Sequence, residues 1–171
     1  MKILIDTSYF LPLIKIGVKT IPDKLLIDLL SKSSNDYFYS TLTIFELTAK
    51  GLKISSNTNE ITTQDIRIGI DAIQKNARLI ELSFTDNPLI IELASLLKPM
   101  HNDTIDCLIF ATAICTCDCI VTMDKTFFEQ LNESPKLLKK FREINDNFKF
   151  WFNDLTGELQ TLKSNSLLKR K

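Results

Sequence analysis

The sequence predicts a three-layer α/β/α sandwich built on a mainly parallel central sheet. Two observations carry that prediction. Short apolar runs alternate with helix-length segments along the chain, and the first run, Lys2-Ile3-Leu4-Ile5-Asp6, stays apolar until it ends in an acid. A continuous apolar run marks a strand covered on both faces, and strand–helix alternation supplies the crossovers that parallel strands require. With 171 residues the chain can form one substantial core and is short for two full domains.

Element by element, Lys2 to Asp6 opens the sheet and a helical pattern follows over Lys24 to Leu30. After the polar loop Ser31 to Asp36, the aromatic run Tyr37-Phe38-Tyr39-Ser40 reads as the second strand. The helix Leu42 to Lys50 is expected to stop at glycine, leaving Gly51 to Glu60 as an exposed polar loop. Helices are then predicted over Thr63 to Lys75, Pro88 to Lys98 and Thr104 to Cys117, with a weaker strand at Arg78 to Leu82. Cys119 to Thr122 is a strand directly after the third of these helices. Helices Lys125 to Leu131 and Pro135 to Phe141 and a weak strand at Phe148 to Phe152 complete residues 1–152, the proposed domain. Residues 153–171 read as a polar, basic tail ending in Lys169-Arg170-Lys171.

Composition excludes several classes. Hydrophobic residues at 44% and charged residues at 25% argue against a disordered or fibrous chain. The longest uncharged apolar stretch, Cys107 to Cys117, is about half the roughly 20 residues that a membrane-spanning helix needs. Asp6 interrupts any apolar signal core near the N-terminus, so the cytoplasm is the expected compartment. Cys115, Cys117 and Cys119 lack the spacing of a zinc site, and the single His101 does not complete one; they read as small buried residues. Basic and acidic residues balance at 21 each, so no global field points to nucleic acid. If several acids gather around a cation, however, the outer surface is left mildly basic.

Four acids fall at strand carboxyl ends or the helix starts beside them: Asp6, Glu46, Asp106 and Asp124. In a parallel sheet those ends share one rim, where ligands collect. Each acid also has an ordinary structural explanation. Asp6 and Asp124 suit helix caps, and Thr43-Ile44-Phe45-Glu46 has the form of a capping box. Asp106 resists that explanation. Asp103 is the better cap, which leaves Asp106 one turn inside an almost uncharged helix, where a buried carboxylate needs a partner or a metal. Asp103 shares a face with it at i, i+3 and is an occasional ligand at most. Converging carboxylates suit a hard divalent cation, Mg²⁺ or Mn²⁺, and its retained waters suit reaction at phosphorus.

The segments Ile5-Asp6-Thr7-Ser8, Thr43-Ile44-Phe45-Glu46-Leu47, Asp106-Cys107-Leu108-Ile109-Phe110-Ala111-Thr112-Ala113 and Val121-Thr122-Met123-Asp124-Lys125-Thr126-Phe127 together resemble the PIN-domain ribonucleases, and more particularly their VapC toxins. Order and spacing match over Met1 to Phe152. The resemblance implies metal-dependent cleavage of RNA, with Asp6, Glu46, Asp106 and Asp124 as the catalytic, metal-holding acids. It implies a hydroxyl role for Thr122, and for a toxin it implies an antitoxin partner and often a homodimer. Met123 departs from the basic or polar residue common at its position. Ser8 is a second candidate hydroxyl, and Lys50, Lys53 and Lys125 are candidate phosphate contacts, although solvated surface lysines are the commoner case. Tyr9 is a candidate base-stacking residue or a core residue.

Three other readings stay open on sequence: an RNA-processing PIN nuclease, a phosphatase or phospho-acceptor domain using Asp6 as nucleophile, and a non-catalytic metal- or peptide-binding module. Ser8 counts against the phosphatase, because an acid would be useful at that position.

Overall fold

The computed structural model describes residues 1–17, 26, 30, 35–58, 60–153 and 159–161. Six strands form one sheet: β1 (Lys2–Ile5), β2 (Asp36–Ser40), β3 (Leu79–Leu82), β4 (Cys119–Thr122), β5 (Lys149–Asn153) and β6 (Leu159–Thr161). Their order is β3-β2-β1-β4-β5-β6, with parallel pairing throughout except for β5 and β6, which are antiparallel. The chain winds outward from β1 through β2 to β3, then returns to place β4 on the other side of β1. The β1/β4 boundary is therefore a topological switch point, where the crossovers diverge and open a crevice at the strand carboxyl ends. Asp6 follows β1, and Thr122 and Asp124 end and follow β4, so the switch point carries three of the predicted residues.

Alternating side chains feed two cores. Leu4, Phe38, Ile120 and Phe150 face one side, packed under α3 (Leu89–Leu97), α4 (Thr104–Thr116), α5 (Lys125–Asn132) and α6 (Pro135–Ile144). Ile3, Ile5, Tyr37, Tyr39, Cys119 and Val121 face the other, with Phe10, Ile14, Leu47 and Ile73 from two 3-10 turns, α1 (Thr41–Asn57) and α2 (Thr63–Gln74). These are the three expected layers. Phe110 of α4 lies at the centre of the first core, with Phe127, Phe141, Phe148 and Phe150 at ring-centroid distances of 4.9–5.8 Å. Among the described residues no helix is long and apolar enough to cross a membrane.

Two local expectations fail. Gly51 to Asn57 is not a loop but the last turns of α1, which ends at Thr58. Gly51 is buried where α1 meets α2, and a Cβ there would lie 2.8 Å from the Ile66 side chain, so the glycine allows close packing instead of ending the helix. Thr43 and Glu46 form no capping box, because α1 is capped three residues earlier, by Ser40; Ser40 Oγ accepts from the Leu42 amide at 3.2 Å. A reciprocal capping box does form in the next helix, between Thr62 and Asp65. The expected helix at Lys24 to Leu30 lies mostly outside the described residues, although Leu26 and Leu30 are helical. Within the segment read as a tail, residues 159–161 pair with β5, and the rest lies outside the described residues.

Of the three cysteines read as small buried residues, Cys117 and Cys119 are buried and Cys115 is half-buried. All four are free; Cys107, Cys117 and Cys119 are buried, and burial pushes their thiols up to about 11, 11 and 12. Such thiols hold little thiolate at neutral pH and are poor nucleophiles.

Candidate metal centre

Asp6 is buried at the end of β1, and its carboxylate is held by its neighbours. Oδ2 accepts from the Ser8 hydroxyl at 2.6 Å, from the Thr122 hydroxyl at 3.0 Å and from the Ser8 amide at 3.3 Å. The hydroxyls are in turn fixed from behind: the Met123 amide donates to Ser8 Oγ at 3.2 Å and the Asp124 amide donates to Thr122 Oγ1 at 3.0 Å. Ser8 and Thr122 thus spend their protons on Asp6 and not on the crevice. All three bonds reach one oxygen, which leaves the other carboxylate oxygen for an outside ligand. Burial raises the Asp6 pKa above the usual carboxylate range; the Ser8 bond opposes this and the Glu46 charge adds to it.

Glu46 reaches the same place from the second turn of α1. It is 6% exposed, and its Oε2 is buried with no hydrogen-bond partner. Its Oε1 pairs with Lys50 one turn along. Burial alone would lower the Lys50 pKa, but the Glu46 bond and charge, joined by Asp106 and Asp6, more than reverse this and raise it. Lys50 is thus already engaged as a counter-charge to the acids. Lys53 is exposed on the same helix, and Lys125 is exposed with its Nζ 3.7 Å from Glu129. Tyr9 is 1% exposed and belongs to the core, not to a stacking surface.

Asp103 is the cap of α4. Its Oδ1 accepts from the Ile105 amide at 2.8 Å and the Asp106 amide at 3.3 Å. Asp106 is thereby freed from capping, and its carboxylate faces the crevice. Its pKa rises to about 7, first through burial and then through the charge of Asp6, with smaller contributions from Asp103 and Glu46; the hydrogen bond to His101 opposes the rise. Asp124 caps α5 through Oδ1, which accepts from the Phe127 amide at 2.8 Å. The structure therefore brings Asp6, Glu46 and Asp106 into one electrostatic cluster, with Asp124 beside Asp106.

One residue of the site was missed. His101 precedes α4, and its Nε2 lies 2.9 Å from Asp106 Oδ2. Single ligand atoms from His101, Asp106 and Asp124 all lie within 4.8 Å of one another. The available signal was simple: the one imidazole of the chain stands five residues before the unexplained acid.

The donor set fits a divalent cation. The Glu46 charge raises the pKa of Asp6, and both raise that of Asp106, a repulsion that a shared cation would relieve; the unpartnered Glu46 Oε2 lacks the donor or metal that burial demands. Hard oxygen ligands suit Mg²⁺ and Mn²⁺.

Neither a protein-family model nor a curated protein matches the sequence. Solved structures do resemble the fold. VapBC2 from Rickettsia felis, in a structure bound to a DNA fragment from its promoter, aligns with a TM-score of 0.51 and 19% identity over 88% of this chain and 99% of that chain. FitAcB from Neisseria gonorrhoeae aligns with a TM-score of 0.49 and 16% identity, over 75% of this chain and 91% of that chain. The first likeness is one of architecture, and it agrees with the sheet order and layers described above: this chain has a three-layer α/β/α fold with a mainly parallel sheet.

Proposed function

We propose that the chain is a divalent-metal-dependent endoribonuclease that hydrolyses RNA phosphodiester bonds in the cytoplasm as the toxin of a toxin–antitoxin pair. The observation that carries the chemistry is the convergence of Asp6, Glu46 and Asp106: the Glu46 charge raises the proton affinity of Asp6, both charges raise that of Asp106, and Glu46 Oε2 is buried without a partner. The motif resemblance supports RNA as substrate, and the fold shared with VapBC2 supports the toxin role.

Asp6, Glu46, Asp106 and Asp124 are the proposed ligands. When bound, Mg²⁺ or Mn²⁺ supplies an activated water and polarises the scissile phosphate. The remaining work falls to the chain. Ser8 and Thr122 orient Asp6 and hold its charge, a positioning role set by their bonds to Oδ2. Lys50 balances Glu46 and, with Lys53 and Lys125, is a proposed contact for phosphate oxygens. Asp103 sets the start of α4 and so the direction of Asp106.

Labelled RNA incubated with Mn²⁺ or Mg²⁺, beside a chelator control, tests this directly. Asp6→Asn and Asp106→Asn are each expected to lose at least about 100-fold in cleavage rate, about 2.7 kcal/mol of transition-state stabilisation. Unchanged cleavage in both variants defeats the site. For the toxin role, co-expression with the product of an adjacent small reading frame is expected to yield a stable complex and to suppress cleavage. Sedimentation of the free chain is expected to show a homodimer.

A further inference from the structure

We propose that His101 Nε2, with Asp106 and Asp124, forms a mixed nitrogen–oxygen half of the cation site that takes a first-row transition ion in preference to Mg²⁺. This inference rests on the metal-dependent reading above and assigns an identity to the ion. Asp106 is common to both halves of the site: it lies in the field of Asp6 and Glu46 on one side and against His101 on the other.

The imidazole is built in. Its ring stacks on Phe127 with centroids 4.3 Å apart and an interplanar angle of 24°, and its side chain is only 12% exposed. Nδ1 lies 3.2 Å from Gln130 Oε1, an acceptor that suits the tautomer with its ring proton on Nδ1. In that tautomer Nε2 offers a lone pair on the side of Asp106. Such an outer hydrogen bond is the usual way a metal-binding imidazole has its tautomer and direction fixed.

Nε2 and Asp106 Oδ2 stand 2.9 Å apart, two electron-rich atoms that require a proton or a cation between them. Two ligands at about 2.1 Å from one ion, in adjacent positions about 90° apart, are themselves about 3.0 Å apart. The observed spacing meets that requirement without movement. A plain His–Asp ion pair accounts for two of the three residues; Asp124, fixed as the cap of α5 with its Oδ1 accepting from the Phe127 amide, adds a carboxylate ligand atom within 4.8 Å of both. Imidazole favours first-row transition ions, whereas Mg²⁺ selects oxygen; a site with one nitrogen ligand therefore shifts the preference toward Mn²⁺ and its heavier neighbours.

The sequence contains one histidine, so ¹⁵N-histidine incorporated into untagged protein marks this imidazole alone. Pulsed electron paramagnetic resonance of bound Mn²⁺ is expected to show ¹⁴N modulation in unlabelled protein and its replacement by the ¹⁵N pattern after labelling. His101→Asn is expected to abolish the modulation and weaken Mn²⁺ binding about tenfold, with less than about a twofold change for Mg²⁺. Because that variant also loses the Phe127 stacking, the labelled wild-type protein decides the matter. If Mn²⁺ binds and the two spectra coincide, the histidine assignment is overturned and the nuclease reading stands. If the folded wild-type chain binds no Mn²⁺ at all, both fall.

Discussion

At the residue scale, Asp106 shows how a charge becomes available for chemistry. The first-turn amides of α4 have Asp103 as acceptor, so the carboxylate three residues later does no capping and projects into a cluster of like charge. Asp6 is the opposite case, a carboxylate pinned by three donors on one oxygen. Repulsion within the cluster is a stability cost that the proposed function would impose. Asp6→Asn removes one of the repelling charges while its side-chain oxygen still accepts from Ser8 and Thr122. The metal-free variant is therefore expected to melt higher than wild type, by about 2–4 °C for each kcal/mol recovered. Calorimetry in chelator checks this, and a lower melting temperature would show that the carboxylate is stabilised by its donors more than it is repelled. The four acids and Asp103 were legible because their positions relative to strands and caps constrain them. His101 was marked only by standing five residues before Asp106; its approach to Asp106 and Asp124 is a matter of folding that no periodicity encodes.

At the scale of elements, all five strands predicted from sequence exist, and Cys119–Thr122 matches its prediction residue for residue. The differences lie in helix ends and in Leu159–Thr161, a strand within the segment read as a tail. Gly51 looked like a terminator, yet α1 runs on to Asn57, because the missing side chain lets α2 approach. Glycine freedom and glycine closeness look the same in a single sequence. Gly69, on the opposing helix α2, makes the sharper prediction: an added Cβ would lie 2.5 Å from the Leu13 carbonyl oxygen and 2.5 Å from Ile14 Cγ2. Backbone cannot rotate away, so Gly69→Ala is expected to cost about 2–3 kcal/mol, more than Gly51→Ala, whose closest obstacle is the flexible end of Ile66. Denaturant unfolding of the two variants checks the order, and equal losses would mean that the 3-10 turn at Leu11–Ile14 shifts freely.

At the scale of the whole molecule, the switch point at β1 and β4 gathers acids from positions 6, 46, 106 and 124 at one rim, and the proposed metal site would tie global stability to cation binding. The sign follows from Asp106. Its pKa is about 7 in the folded chain and near 3.8 in the unfolded one, so between those values the folded state holds the extra proton. Stability contributed by that proton is therefore fully present below about pH 4 and is lost as pH rises through about 7, on the order of 2–4 kcal/mol in the absence of metal. Asp6, also raised, acts in the same direction. A divalent cation reverses the dependence, because it binds the deprotonated cluster of the folded chain alone and stabilises it by mass action. Melting temperatures from pH 5 to 8 are thus expected to fall in chelator and to hold or rise in millimolar Mn²⁺, with the two curves diverging most above pH 7. In Asp106→Asn the chelator curve is expected to flatten and the Mn²⁺ gain to shrink. Parallel curves for the wild-type protein in chelator and in Mn²⁺ would mean that the acids at this rim are not linked to a shared cation.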